Sequence, residues 1–259
     1  MCKNALRSCF PKLGRARLNV TTAIDIAGTE GRVCVVTGDG AADCTFDGRP
    51  FRWRGEVARI ALGGIVREAV EIRDDTHHFS SPRGYGVLCE LDRHGEAQCD
   101  AQAWEGRFVD LTAGRYDGCA LRDDGRVLCR LLNDPNAKPV PSGPARAFVR
   151  VVAGDDFVCA LDAAGAVACW GDRAPANAPP PETALTSLSA GHGHACGLTR
   201  TGHARCWGDN SHHRFPPSQV VLRAVVAIDD RTCGLTPGGA VLCWGVSSSS
   251  AGSAVRPGH

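Results

Sequence analysis

The stretch Cys119 to Cys129, CALRDDGRVLC, holds two cysteines ten positions apart, and that interval recurs along the chain. It returns at Cys34/Cys44, Cys89/Cys99, Cys159/Cys169, Cys196/Cys206 and Cys233/Cys243. Six residues after the first cysteine of each pair stands a glycine: Gly40, Gly95, Gly125, Gly165, Gly202 or Gly239. Two residues after it comes Val36, Leu91, Leu121, Leu161, Leu198 or Leu235, and eight after it Ala42, Ala97, Val127, Val167, Ala204 or Val241. A four-point pattern kept six times is an internal repeat.

The unit reads as a β-hairpin. Asp-Asp-Gly, Arg-His-Gly, Ala-Ala-Gly, Arg-Thr-Gly and Pro-Gly-Gly are short turn sequences between arms of alternating apolar residues. Glycine supplies the positive φ such a turn needs. Side chains alternate faces along a strand, so Cys119 and Leu121 share a face, with Val127 and Cys129 opposite them on the return arm. Directly opposed β-carbons lie about 4.5–5.5 Å apart, so a bridge between the two cysteines needs only modest adjustment.

Another alternating segment precedes several hairpins: FVDLTAG (Phe108–Gly114), FVRVVAG (Phe148–Gly154) and LTSLSAG (Leu185–Gly191). Each reads as a short strand ended by glycine. Proline-rich connections such as PNAKPVPSGP and APANAPPPE suit a fourth, edge strand, where proline is tolerated. Three or four short strands per repeat leave both faces of each small sheet uncovered, and radial stacking covers them. The expected fold is all-β: a seven-bladed β-propeller spanning residues 1–245 as one domain, with residues 246–259 a disordered Ser/Gly-rich tail. The seventh blade draws on the N-terminal residues, where Ser8-Cys9-Phe10 reads as the tail of a further hairpin; a six-bladed ring is the alternative. Asp74–Gly86 is an insertion ahead of the second hairpin.

Composition narrows the function classes. The formal net charge is +1 over 259 residues, which suggests neither nucleic acid nor an anionic membrane as partner. No apolar run approaches the roughly 18 residues of a membrane span, and the first residues lack signal-peptide order. Fourteen cysteines without a single C-x-x-C are unusual for a cytosolic enzyme. Disulfides across the six hairpins are the expected state, with buried thiols and zinc ligation as alternatives. Disulfides imply an extracytoplasmic compartment, and therefore a native chain that begins upstream of Met1 or is processed. His192, His194 and Cys196 alternate on one strand face as metal ligands would. A cysteine committed to a disulfide does not ligate, however, so no metal or other cofactor is expected.

At AGHGHACGLTRTGHARCWGDN (Ala190–Asn210) the repeat resembles that of the regulator of chromosome condensation (RCC1-like) family in its bacterial cysteine-rich form. The resemblance covers about Ala23 to Gly245. The last three copies keep Cys-Trp-Gly, at Cys169–Gly171, Cys206–Gly208 and Cys243–Gly245; earlier copies have CTF, CDA and CRL instead. Only His194 keeps the family histidine and only Asn210 the asparagine. The resemblance implies a seven-bladed disc that presents loops to another protein, in a family whose members range from a GTPase exchange factor to an inhibitor of β-lactamase.

Two loops rich in His, Arg and aromatic residues are the candidate contacts, since loops carry binding function more often than scaffolds do. One is Gly208–Phe215, with Asp209, Asn210, His212, His213 and Arg214. The other is the insertion, with His77, His78, Arg83 and Tyr85. Trp170, Trp207 and Trp244 either form an aromatic recognition surface or pack between blades. There is no Gly-x-Ser-x-Gly, His-Glu-x-x-His or Walker loop, and the acid pairs Asp123/Asp124 and Asp155/Asp156 suit turns. The expected function is a non-enzymatic, secreted or cell-surface bacterial scaffold, a monomer that binds another protein. A carbohydrate-binding or glycan-active propeller is the alternative, and a GTPase exchange factor or chromatin binder fits least.

Overall fold

Among the described residues six antiparallel sheets follow one another along the chain. The computed structural model describes residues 23–29, 32–46, 49–53, 57–63, 87–99, 102–115, 117–131, 142–172, 184–211 and 213–245. The first sheet orders β1 (Ala23–Thr29), β2 (Arg32–Thr37), β3 (Ala42–Phe46) and β4 (Arg49–Trp53). The second orders β5 (Val57–Gly63), β6 (Val87–Asp92), β7 (Ala97–Cys99) and β8 (Gln102–Trp104). Three strands make up the third sheet, β9 (Phe108–Ala113), β10 (Asp117–Arg122) and β11 (Val127–Leu131), and the fourth, β12 (Arg150–Ala153), β13 (Val158–Leu161) and β14 (Val167–Trp170). The fifth holds β15 (Ser189–Ala190), β16 (His194–Leu198) and β17 (Ala204–Gly208), and the sixth β18 (Ala224–Ile228), β19 (Arg231–Leu235) and β20 (Val241–Gly245). No helix among the described residues is long and apolar enough to cross a membrane. The residues expected to begin a seventh blade, the insertion Asp74–Gly86 and the tail 246–259 lie outside the described residues.

The repeat is the hairpin formed by the second and third strands of each sheet. Its cysteines sit directly opposite one another in register, as Cys119↔Cys129 and Cys196↔Cys206 show. All six pairs are disulfides with Cα atoms 4.0–4.1 Å apart. At each turn the glycine N–H donates to the carbonyl three residues back, as Gly125 does to Arg122 at 3.0 Å, and the glycine adopts positive φ, +84° at Gly125. This is a type I turn closed by a left-handed residue, which glycine alone takes without strain. A fourth, edge strand is present in the first two sheets, and β4 carries Pro50 at that outer position; the proline-rich connections expected to supply one, residues 135–144 and 174–182, lie almost wholly outside the described residues.

The same glycine joins one sheet to the next. Its carbonyl accepts the N–H of a residue at the start of the following first strand or two to four positions before it: Val57 to Gly40, Phe108 to Gly95, Phe148 to Gly125, Leu185 to Gly165 and Leu222 to Gly202, at 2.8–3.1 Å. Successive first strands then lie side by side, β1 by β5, β5 by β9, β9 by β12, β12 by β15 and β15 by β18. They form the inner wall of the stack.

The first cysteine of every hairpin is buried, and the disulfides face forward. Cys119, Leu121 and Val127 of the third sheet pack on Phe148, Val151 and Val158 of the fourth, and Cys34, Val36 and Cys44 on Val57 and Ile60. Tryptophans face backward. Trp170, Trp207 and Trp244 each pack on the sheet before their own, against the clusters holding Cys119, Cys159 and Cys196. Alternation along the third strand separates Cys169 from Trp170, so one residue seals each neighbour.

Inner-edge N–H groups have no further strand to pair with, and buried donors need acceptors. Side chains of the preceding first strand supply them. Asp110 Oδ2 accepts from Val151 N–H at 3.1 Å, Thr112 Oγ1 from Ala153 N–H at 2.9 Å, and Ser189 Oγ from Ala227 N–H at 2.9 Å. The Arg59 guanidinium also donates to buried Asp110, and Arg150 Nε lies 3.6 Å from it. One carboxylate therefore ties three consecutive sheets together.

Candidate loop face

First and second strands are joined by loops that all fall on one end of the stack, because every first strand runs in the same direction. These loops place Arg115, Asp155, His192 and Asp229 at one common position, four residues before the first cysteine. The four are linked in series. Arg115 Nη1 lies 3.6 Å from Asp155 Oδ2, which also lies 3.2 Å from His192 Nδ1. Backbone bonds run beside them: Asp155 N–H donates to the His192 carbonyl at 3.2 Å and His192 N–H to that of Asp229 at 2.8 Å. Hydrogen bonds thus connect the fourth, fifth and sixth sheets here. Aligning the chain on its cysteines brings these residues into one column, the signal that marks them in sequence.

The loop after β17 rises from the same end. Asp209 N–H donates to the Gly193 carbonyl at 2.9 Å, which fastens the loop start to the neighbouring turn. Asp209 Oδ1 accepts from Ser211 N–H at 2.7 Å and Asn210 Oδ1 from Phe215 N–H at 3.1 Å, so the loop folds on its own side chains. His213 sits at φ +53°, a left-handed conformation uncommon for a side-chain-bearing residue.

Arg214 is the anchor. Its side chain is 3% exposed, with Nη1 3.0 Å from Asp209 Oδ2 and Nη2 2.8 Å from Asp230 Oδ1 in the sixth sheet. The guanidinium thus binds loop to neighbouring sheet rather than facing solvent, while Asp209, Asn210, Ser211 and His213 stay exposed. Asp209 is held below the usual carboxylate range, first by the backbone and side-chain bonds from Ser211, then by Arg214.

His194 lies beneath this loop. It is fully buried, its Nε2 2.8 Å from Thr232 Oγ1 and its ring 6.3 Å from that of Phe215. Burial, reinforced by the positive charge of Arg214, lowers its pKa from 6.5 to about 4, against the opposing pull of Asp230 and Asp209. The imidazole is neutral at pH 7. The metal arrangement weighed for His192, His194 and Cys196 does not form, because Cys196 is in a disulfide and His194 bonds to Thr232. Among the described residues no group of three His, Cys, Asp or Glu side chains is placed to hold a metal ion.

The remaining candidates divide as follows. Trp207 is 3% exposed, and Trp170 stacks at 5.9 Å on Phe148. Trp244 is half-buried against the fifth sheet. His212, His77, His78, Arg83 and Tyr85 lie outside the described residues. Asp123 and Asp124 occupy a hairpin turn at the opposite end, where Asp124 Oδ1 accepts from Arg126 N–H at 2.9 Å.

Residues 185–214, which hold both the fifth-sheet hairpin and the anchored loop, match the Regulator of chromosome condensation (RCC1) repeat. No curated protein matches the chain significantly in sequence. Several solved structures share its fold. The CRINKLY WD40 ectodomain of the Arabidopsis thaliana receptor kinase ACR4 is 22% identical with a TM-score of 0.59, over 86% of this chain and 79% of that one. The Physcomitrella patens receptor kinase CR4 ectodomain is 24% identical with a TM-score of 0.61, and the match spans 86% of this chain but only 61% of that one. Prp20p from Saccharomyces cerevisiae is 12% identical with a TM-score of 0.63, over 86% and 72%. The sheets therefore stack as an RCC1-type propeller, cross-linked by one disulfide per hairpin.

Proposed function

We propose that this RCC1-repeat propeller is a non-enzymatic scaffold that binds another protein through its loop face. The observation that carries the reading is the Gly208–Phe215 loop, which exposes Asp209, Asn210, Ser211 and His213 while buried Arg214 holds it to the sixth sheet. Such a loop enters a complex already ordered, which lowers the entropic cost of association. His212 belongs to the same loop in sequence, and His77, His78, Arg83 and Tyr85 form a second contact region in this reading. Trp170, Trp207 and Trp244 contribute through packing. Prp20p, whose structure was described with its binding to Gsp1p and histones, supports protein binding as a use of this fold. Six disulfides support an oxidising compartment, secreted, periplasmic or at the cell surface, with the propeller acting as a monomer.

The test is cross-linking of the oxidised chain to proteins of its own compartment, followed by mapping of the linked residues. Links should concentrate on residues 208–215, weaken in an Asn210→Ala/His213→Ala chain, and persist in an Arg200→Ala chain altered at the opposite end. Links confined to the hairpin-turn end would overturn the proposal, as would turnover of a glycan or ester by the purified chain.

A further inference from the structure

Two buried side chains join the exposed loop to the sixth sheet, one a permanent cation and the other a titratable ring. Arg214, on the loop, reaches Asp230 of the sixth sheet at 2.8 Å. His194 touches the same two elements: Nε2 lies 2.8 Å from Thr232 Oγ1, and its ring lies 6.3 Å from that of Phe215, the residue after Arg214. Asn210 Oδ1 in turn accepts the Phe215 N–H at 3.1 Å. Whatever loosens this joint therefore loosens the loop.

Hydrogen bonding around the ring suits its neutral form. Thr232 Oγ1 also lies 3.6 Å from Cys196 Sγ, a disulfide sulfur with no hydrogen to give. The arrangement that serves all three groups has Nε2–H donating to Thr232 and Thr232 donating to the sulfur. Nδ1 is then a lone pair, and it makes no hydrogen bond among the described residues. Gly191 closes over that edge, since a Cβ there would lie 2.7 Å from Cε1 and 3.1 Å from Nδ1. A second proton would sit on Nδ1 as a buried donor without an acceptor. Burial first, and then Arg214, oppose a charged ring; Asp230, Asp209 and the Arg231 backbone favour it and are outweighed. The other charged groups nearby are turned elsewhere. His192 pairs with Asp155 at 3.2 Å and bonds the Asp229 carbonyl, and His213 is exposed.

We infer that His194 is a proton-operated catch for the loop that carries Asp209 and Arg214: acid charges the ring, two cations then share one buried joint, and the loop lifts from the sixth sheet. This rests on the loop being the contact surface proposed above, where its consequence is release of the bound protein on acidification. Lifting hydrates both imidazolium and guanidinium, so the charged ring favours the open form. The closed form is favoured in full above pH 6.5 and loses ground as pH falls from there through about 4. With the ring at 6.5 when open and about 4 when closed, the open form gains about 30-fold at pH 5. The gain levels off at about 300-fold, ten to the power 2.5 (6.5 − 4), well below pH 4.

The test reads the loop with no partner present. Hydrogen exchange, followed by mass spectrometry and corrected for the intrinsic pH dependence of amide exchange, compares the oxidised chain with a His194→Gln chain at pH 7 and pH 5. Protection over Asp209–Phe215 should fall about 30-fold in the native chain and less than about threefold in the variant, with Asp117–Leu131 unchanged in both. Asp209, held below the usual carboxylate range, stays charged at pH 5 and does not drive the change. If His194→Gln does not fold, an NMR titration of the native chain decides: the His194 ring signal and the Arg214 and Phe215 amides should move together over one pH range. Equal loosening in both chains, a loop unaltered at pH 5, or loss that spreads to Asp117–Leu131 would overturn the inference. So would a ring that titrates while the loop amides stay fixed. A loop that opens in acid while cross-links map to the hairpin-turn end removes the binding reading and leaves the catch standing.

Discussion

Replacing Asp110 tests whether the inner wall holds the stack together. In the native chain Oδ2 accepts from Val151 N–H at 3.1 Å, and Oδ1 accepts from Leu111 N–H at 2.9 Å and from the Arg59 guanidinium. Asp110→Ala strips all of these and leaves the inner-edge N–H of Val151 without its acceptor. A hydrogen bond to a charged group contributes about 1.5–3 kcal/mol. Side chains of Arg59 and Arg150 are 25% and 42% exposed, so water screens both ion pairs; each adds at most about 1 kcal/mol. The expected loss is about 3–4 kcal/mol, a large share of the ~5–15 kcal/mol typical of a folded domain. Asp110→Asn keeps an oxygen for one N–H and loses the charge, so it should cost about 1–2 kcal/mol. Urea unfolding of the oxidised chains at pH 7, followed by circular dichroism, measures both. A loss below ~1 kcal/mol for the alanine chain, or equal losses for the two, would refute the role given to this carboxylate.

The other expectations concern pH, turns and sulfur. His194 takes its native proton only near pH 4, whereas an unfolded histidine takes it near 6.5. Stability is therefore full above pH 6.5 and falls by about 3 kcal/mol in all as pH drops from there through 4; unfolding of His194→Gln across pH 4–7 should show a flatter profile. Glu90 runs the opposite way. Burial, aided by Asp92, raises its carboxyl from 4.5 to about 7, so its contribution is full below 4.5 and is lost as pH rises through 7. Glu90→Gln should remove that loss in melts at pH 4–8. Gly239→Ala should cost only the ~1–2 kcal/mol of a left-handed residue, whereas Gly125→Ala, which also drives a Cβ to 2.8 Å from Ala147, should cost clearly more in the same unfolding assay. A Cys119→Ser/Cys129→Ser chain loses one short loop closure, worth somewhat under ~3 kcal/mol. Its denaturation midpoint should drop accordingly, and an unchanged midpoint would count against the bridge as a stabilising element.

Local pairing was fully legible in the residues. Cysteines ten apart, glycine at the sixth position and apolar residues at the second and eighth specify a hairpin's register, because turn geometry and side-chain alternation act between near neighbours in the chain. That pattern placed all six described disulfides and the strands before several of them. The loop at Gly208–Phe215 was also visible from its composition.

Only tertiary structure decided what each side chain does. Both faces of a propeller sheet are covered, so alternation separates Cys206 from Trp207 but tells only which neighbour each one meets; both are packed. Arg214 reads as a surface residue in its polar loop, yet it points inward, because Asp230, sixteen positions later (230 − 214), belongs to the adjoining sheet. Asp110 finds Arg59 51 positions away and Val151 41 away. Pairings at such separations leave no periodic trace, since the stacking of sheets brings them together and that stacking depends on the whole chain at once.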